Sequence, residues 1–264
     1  MKLGIIAGWT IEGLQLALDR GFNVVEWDYN IGNDPADLDA KKEEIKAFMD
    51  KNNMSVSAIG RWGPDKYDAD WKIIDAELEN QKALVDLCVY FGAPVFMTGV
   101  NWINGKSFDE NCDHAREYLK IILDYATEKG IKVCTYNCDW NNFVREPRAW
   151  RKIQRNLPGL GIKFDPSHCI NCGTGEYLDE IEEFGDIFYH FHVKGTINIK
   201  GRHIDDPPAG LDMTNWGEVM GLLYAKNYQG VLSIEPHSGV WKGKLGEWGI
   251  QYTKNYITKM IFED

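Results

Sequence analysis

The stretch Phe164-Asp165-Pro166-Ser167-His168 places a carboxylate and an imidazole directly after a short apolar run. Two further stretches share this arrangement: Phe191-His192-Val193-Lys194-Gly195 and Ser233-Ile234-Glu235-Pro236-His237. Each apolar run has the length and composition of a buried β-strand. Asp, His and Glu are hard or borderline ligands for divalent metal ions. Three of them at successive strand ends therefore indicate a metal site at the mouth of a parallel barrel.

The rest of the chain alternates short apolar runs with amphipathic helical segments, without an intervening linker. The predicted strands cover residues 2–7, 23–27, 54–59, 94–98, 131–135, 161–164, 187–193 and 231–234. The predicted helices cover residues 11–20, 35–52, 71–91, 108–129, 148–156, 177–184, 216–226 and 246–262, and a long polar loop covers residues 194–212. Eight strand–helix pairs in about 260 residues predict one α/β domain over residues 1–264, a (β/α)8 TIM barrel. A doubly wound sheet is disfavoured because its first turn, Ala7-Gly8-Trp9-Thr10, is not a glycine-rich phosphate loop.

The composition is that of a soluble globular protein, with 44% hydrophobic and 26% charged residues. The formal charge of −11 disfavours a nucleic-acid partner, because phosphate binding requires a basic surface. Residues 1–20 lack the pattern of a secretory signal, and no apolar run approaches the ~18 residues of a membrane span. We therefore expect a cytoplasmic protein with no membrane partner, in which all six cysteines, including Cys169 and Cys172 of a C-x-x-C pattern, remain thiols.

Aromatic residues are concentrated where the barrel fold places chemistry, on the loops after the strands. Six tryptophans follow predicted strands: Trp9, Trp27, Trp62, Trp102, Trp140 and Trp241. Their rings either stack on the apolar C–H face of a sugar or close the top of the barrel, and six together favour a ligand pocket. Trp102 and Trp140 are the members that we predict to bind substrate.

The ordered set of motifs resembles the xylose-isomerase-like TIM barrel superfamily, that is, the sugar phosphate isomerase/epimerase family with inosose dehydratases and endonuclease IV. The resemblance covers nearly the whole chain and adds two motifs to the three stretches above, Val25-Glu26-Trp27 and the loop Ala209-Gly210-Leu211-Asp212. It implies a divalent ion (Mn, Mg, Co or Zn) held by Asp165, His192 and Glu235, and it implies a homo-oligomer. Endonuclease IV itself is disfavoured, because the acidic chain lacks that enzyme's additional histidines after strands three and four.

The fifth strand departs from the family pattern, which has Glu-Asn-His where this chain has Tyr136-Asn137-Cys138. A phenol with an ordinary pKa of ~10 is a poor ligand for Mg or Mn. Three consequences remain open. The metal is held by three protein groups and water, or Asp139 substitutes for the missing glutamate, or the site has lost its metal and kept a sugar pocket.

The resemblance implies a sugar or sugar phosphate isomerase or epimerase that transfers a proton at a carbon next to a carbonyl. Glu235 is the predicted base, and the candidate acids are His168, Lys194, His237 and the hydroxyl of Tyr136. Besides Trp102 and Trp140, the residues predicted to bind the carbohydrate are His168, Arg202, His237 and Glu26. Arg202 would bind a phosphate or a hydroxyl group of the sugar. Lys194 has the alternative of pairing with Glu26. The alternative functions are a keto-sugar or keto-inositol dehydratase or lyase, and a catalytically reduced sugar-binding barrel.

Overall fold

Eight parallel strands form a closed barrel, because the first strand hydrogen-bonds to the second strand on one side and to the last barrel strand on the other. The computed structural model describes residues 1–172 and 176–262. The barrel strands are β1 (Lys2–Ile6), β2 (Val24–Asp28), β3 (Ser55–Gly60), β4 (Val95–Thr98), β5 (Lys132–Tyr136), β6 (Leu160–Phe164), β7 (Phe188–Val193) and β10 (Val231–Ile234). The predicted TIM barrel is therefore confirmed.

Helices connect consecutive strands and cover the outside of the barrel. They are α1 (Ile11–Asp19), α2 (Pro35–Lys51), α3 (Asp75–Phe91), α4 (Phe108–Thr127), α5 (Pro147–Lys152), α6 (Pro166–Cys172), α7 (Tyr177–Phe184), α8 (Trp216–Ala225) and α9 (Gly243–Thr258). Their starts follow from capping chemistry: Thr10 and Asp34 accept backbone hydrogen bonds at α1 and α2, and Ser107 forms a capping box with Glu110 at α4. In the part of the chain that the structure describes, no helix combines the length and apolarity needed to cross a bilayer.

Two regions differ from the sequence-based prediction. The predicted polar loop after the seventh strand contains a β-hairpin, formed by β8 (Ile197–Ile199) and β9 (Arg202–Asp205). Its turn residues Lys200 and Gly201 both have positive φ, which is the conformation that two-residue hairpin turns require. The short helix α6 was not predicted, and it begins directly after Asp165 because Pro166 is suited to the first turn of a helix.

The interior of the barrel is divided into an apolar half and a charged half. Alternate residues of a strand point to the same face, so every second residue of a barrel strand reaches the interior. Around β3, β4 and β5 the buried cluster is apolar and consists of Ala58, Trp62, Val95, Met97, Cys134 and Tyr136. Around β2, β6 and β7 the interior contains buried ionisable side chains, which are Glu26, Lys163, Asp165, His190, His192 and Lys194. This division places the polar chemistry on one side of the barrel mouth.

Candidate active site

A cavity of about 380 Å³ opens at the C-terminal ends of the barrel strands. Ionisable side chains from β2, β6, β7 and β10 and from the loops after them line one side, and they include Asp28, Lys163, His168, His192, Lys194 and Glu235. The residues that follow β3 and β5 contribute Trp62, Cys138 and Trp140. The volume lies in the range of about 300–1,000 Å³ that is typical of small-molecule sites.

His192 lies between two carboxylates inside the barrel. Its Nε2 is 2.8 Å from Oε1 of Glu26, and its Nδ1 is 2.7 Å from Oε2 of Glu235. Burial disfavours the charged imidazole, but the two carboxylates outweigh burial and raise the pKa of His192 to about 9. His190, one inward-facing position earlier on β7, also contacts Glu26 at 2.7 Å. Burial would raise the pKa of Glu26, yet the two histidines hold that pKa well below its usual range.

Lys194 joins the remaining ligand candidates into a second ionic cluster. Its Nζ is 3.0 Å from Oδ2 of Asp165, 3.3 Å from Oε1 of Glu235 and 3.2 Å from Nε2 of His168. Burial lowers the pKa of Lys194, but the attraction of Asp165 and Glu235 is larger and the net shift is upward. The same burial, together with the Lys194 ammonium, lowers the pKa of His168 to about 3. His168 is therefore neutral and accepts a hydrogen bond from Lys194.

Asp165, His192 and Glu235 have the geometry of a potential metal site. One ligand atom of each lies within 4.8 Å of the others. Oδ2 of Asp165 is fully buried, and its nearest cation is the Lys194 ammonium at 3.0 Å. Two carboxylates and an imidazole suit a divalent ion, so this donor set fits the metal that the sequence predicts. The described residues contain two further groups with the same spacing: Glu26-His190-His192 and Cys138-Asp139-His168.

Tyr136 lies in the apolar half of the barrel, and its side chain is almost completely buried. Its ring stacks on Trp62 with a centroid separation of 4.9 Å, and its hydroxyl packs so closely on Gly99 that a Cβ there would be 2.6 Å away. Burial raises the pKa of Tyr136 far above the usual value of a phenol. The side chain that takes the place of the family glutamate is therefore a neutral packing residue behind Trp62.

The other residues that the sequence predicts to bind substrate fall into three groups. His237 and Trp140 line the cavity, and Nδ1 of His237 is 2.9 Å from Oδ2 of Asp206. Glu26 lies deeper, beneath His192. Arg202 is exposed on β9 and Trp102 packs on Phe108 and Phe143, so both lie outside the lining of the cavity.

Sequence reasoning missed one ionisable group in the cavity wall, Lys163, and assigned no role to another, Asp28, although it lies at the end of the second predicted strand. Lys163 is 1% exposed, and its Nζ is 3.9 Å from Oδ2 of Asp165. The signal for it was present, because Lys163 precedes Asp165 by two residues and so faces the same side of β6. Asp28 has the same relation to Glu26 on β2. Burial, reinforced by the charge of Glu26, raises the pKa of Asp28 to about 7.

Comparison with known proteins identifies the family and supports the fold. The family model described as "Xylose isomerase-like TIM barrel" matches residues 14–256. A xylose isomerase domain protein from Planctomyces limnophilus has a TM-score of 0.78 at 15% identity, covering 98% of this chain and 96% of its own. The 3-keto-D-glucoside 4-epimerase of E. coli has a TM-score of 0.75 at 15% identity, with 98% and 99% coverage. A probable 3-DHS dehydratase from Bacillus anthracis has a TM-score of 0.74 at 14% identity, with 98% and 99% coverage.

Proposed function

The chain belongs to the xylose isomerase-like TIM barrel family, and on that premise we propose that it is a metal-dependent isomerase or epimerase of a small carbohydrate. The observation that carries the proposal is the convergence of Asp165, His192 and Glu235 at one cavity, with Glu235 itself in the cavity wall. Its solved structural neighbours include sugar epimerases and a dehydratase, which supports an enzyme of this class.

The proposed ligands of the divalent ion are Asp165, His192 and Glu235. A divalent ion bound there would polarise a carbonyl group and the hydroxyl beside it. Glu26 would orient the His192 ring from below, because a metal-binding histidine usually gives its second nitrogen to a carboxylate.

Glu235 is the proposed base for the proton next to the carbonyl. Burial alone would raise its pKa, but Lys194 and His192 hold that pKa well below the usual range. The carboxylate is therefore ionised at neutral pH and able to accept a proton. Lys194 remains protonated and is the proposed hydrogen-bond donor to the negative oxygen that forms when the proton leaves.

A dehydratase or lyase is the second candidate, and Tyr136 specifically favours it. A symmetric epimerisation uses one group to remove a proton and another to return it on the opposite face of the substrate. The position where the family has its second carboxylate holds a buried and neutral phenol, packed behind Trp62. Elimination needs no group on the opposite face: Glu235 removes the proton, and the departing hydroxyl takes a proton from Lys194 or from the protonated Glu235 and leaves as water.

Hydrogen exchange at the carbon next to the carbonyl tests the proposal whichever product forms. The protein with Mn²⁺ is incubated in D₂O with a panel of ketoses and keto-glycosides, and loss of the proton next to the carbonyl is followed by NMR. We expect exchange that Glu235→Gln abolishes, while the exposed control Glu79→Gln leaves it unchanged. New sugar signals identify an isomerase or epimerase, and an unsaturated product identifies a dehydratase. Absence of exchange with Mn²⁺, Mg²⁺, Co²⁺ and Zn²⁺ would contradict the proposal.

A further inference from the structure

The cavity has an aromatic wall in addition to its ionic wall. Trp62 follows β3, and on its inner side it is fixed by the stacked ring of Tyr136. Trp140 follows β5 and remains 46% exposed, although both rings line the same cavity. In the closed strand order β3 lies opposite β7, so the aromatic wall faces His192 and Lys194 across the mouth.

The position of Trp140 is fixed by its neighbours. The next residue, Asn141, donates hydrogen bonds of 2.8 Å from Nδ2 to the Gly63 carbonyl and to Oδ1 of Asp65. The Trp140 ring covers Gly63, where an added Cβ would be 3.1 Å from two ring atoms. Gly63 has φ +95°, a conformation that glycine adopts without strain. Trp140 is therefore a half-exposed aromatic ring that lines the cavity in a position fixed by its neighbours.

The cationic groups of the cavity are already paired with carboxylates. Lys194 contacts Asp165 and Glu235, His192 contacts Glu26 and Glu235, and Lys163 is nearest to Asp165. His237 in the rim contacts Asp206. Within residues 1–172 and 176–262, each cation of the cavity lining is therefore paired with a carboxylate, and Lys194 is also the proposed donor to the oxygen of the reacting ring, so none is dedicated to a phosphate group. Phosphate recognition requires Arg, Lys or free backbone N–H donors.

We infer that the substrate is an uncharged glycoside whose reacting sugar ring lies against the ionic wall and whose second ring stacks on Trp140. The inference rests on the proposed function and adds the substrate class to it. A ring that stacks on an aromatic side chain needs a flat apolar face, which both a sugar and an aryl group provide. A phosphorylated monosaccharide would leave the aromatic wall without a partner and would place a dianion beside Asp28, Asp139 and Glu235.

Calorimetric titration of the Mn²⁺-loaded full-length protein tests the inference. The probes are glucose, cellobiose, 4-nitrophenyl β-D-glucoside and glucose 6-phosphate, with the corresponding galactose series. We expect a glycoside to bind about ten-fold more tightly than the free sugar, and the phosphate to bind more weakly than the free sugar. The cellobiose and nitrophenyl arms show whether the second ring is a sugar or an aryl group.

Two variants separate stacking from a general loss of structure. Trp140→Ala is expected to reduce the preference for the glycoside to about two-fold or less, with the affinity for the free sugar retained. Trp248→Ala, which removes a 60% exposed ring from α9, leaves all affinities unchanged. The inference is overturned, and the proposed function is not, if the preference for the glycoside survives Trp140→Ala. Tighter binding of the sugar phosphate than of the free sugar has the same consequence. Failure of every probe to bind overturns the inference, while the proposed function stands or falls separately by the hydrogen-exchange assay with ketoses and keto-glycosides.

Discussion

Replacement of Lys194 by Met is predicted to strengthen metal binding while it weakens catalysis. The Lys194 ammonium is 3.0 Å from Asp165 and 3.3 Å from Glu235, the two carboxylates that we propose as metal ligands. A metal ion binds such oxygens at about 2.0–2.2 Å, so the ammonium and the ion compete for the same acceptors. When the ion binds, the ammonium either leaves the two carboxylates or stays nearby and is repelled by the ion. Either outcome weakens metal binding.

The size of the effect follows from the charges. Two unit charges about 4 Å apart interact by ~1 kcal/mol in water and by ~4 kcal/mol at an effective dielectric constant of about 20. A divalent ion doubles both values. Because the lysine side chain can move, we take the lower limit of about 2 kcal/mol, which corresponds to an Mn²⁺ dissociation constant about 30-fold lower in Lys194→Met. Loss of one donor to the developing negative oxygen lowers kcat by about 10²–10³-fold.

Competition with a fluorescent chelator measures the Mn²⁺ dissociation constants at one fixed pH and ionic strength. Lys200→Met is the matched control, because it removes the same charge from the exposed turn of the hairpin. Without metal, Lys194→Met leaves two carboxylates without their ammonium partner and is expected to lose about 3–5 kcal/mol of stability, which Mn²⁺ restores. Unchanged or weaker Mn²⁺ binding by a folded Lys194→Met protein would refute the reasoning.

Three further predictions concern the scaffold around the site. Glu77→Ala leaves the buried Arg61 and Lys66 without their carboxylate, so the free energy of unfolding in urea should fall by about 3–5 kcal/mol. The exposed control Glu79→Ala should lower it by less than about 0.5 kcal/mol, and equal losses in the two variants would contradict the prediction. Gly63→Ala strains a positive-φ position and displaces the Trp140 ring. Thermal unfolding should show a loss of about 1–2 kcal/mol of stability, and calorimetry should show weaker sugar binding. Unchanged stability and affinity would argue against a Trp140 ring fixed by Gly63. Burial, opposed by Glu77, lowers the pKa of Lys66 from its usual value of 10.5 to about 8. Between these two pH values the unfolded chain therefore binds more protons than the folded protein. The free energy of unfolding of the wild type minus that of Lys66→Met should therefore rise from pH 8 to pH 10. A difference that stays constant or falls would show that Lys66 keeps its proton in the folded protein.

The fold was predictable because its information is local. Alternating apolar runs and amphipathic segments, with caps such as Ser107 and Glu110, define each strand–helix pair, and eight pairs have one common solution. The hairpin at Ile197–Asp205 was missed because its strands are only three and four residues long and its signal was confined to the turn, Lys200-Gly201. Such short strands have no periodicity to detect.

The candidate site was less predictable, because its pairings form between strands that are distant in sequence. Asp165, His192 and Glu235 could be proposed from strand ends and from the family resemblance. The choice of partner for Lys194 could not: the sequence suggested Glu26 as one option, while the structure places Lys194 against Asp165 and Glu235 and gives Glu26 to two histidines. The burial of Tyr136 behind Trp62 likewise depends on the packing of three strands.

A crystal structure of the protein grown with Mn²⁺, with an anomalous difference map, tests the central claim most directly. The account predicts one strong peak at about 2.0–2.2 Å from ligand atoms of Asp165, His192 and Glu235, absent in Asp165→Asn. A peak held instead by Glu26, His190 and His192, or by Cys138, Asp139 and His168, would show that the metal centre lies elsewhere in the barrel. A map with no peak at any of these three groups at saturating Mn²⁺ would contradict the metal-dependent function itself.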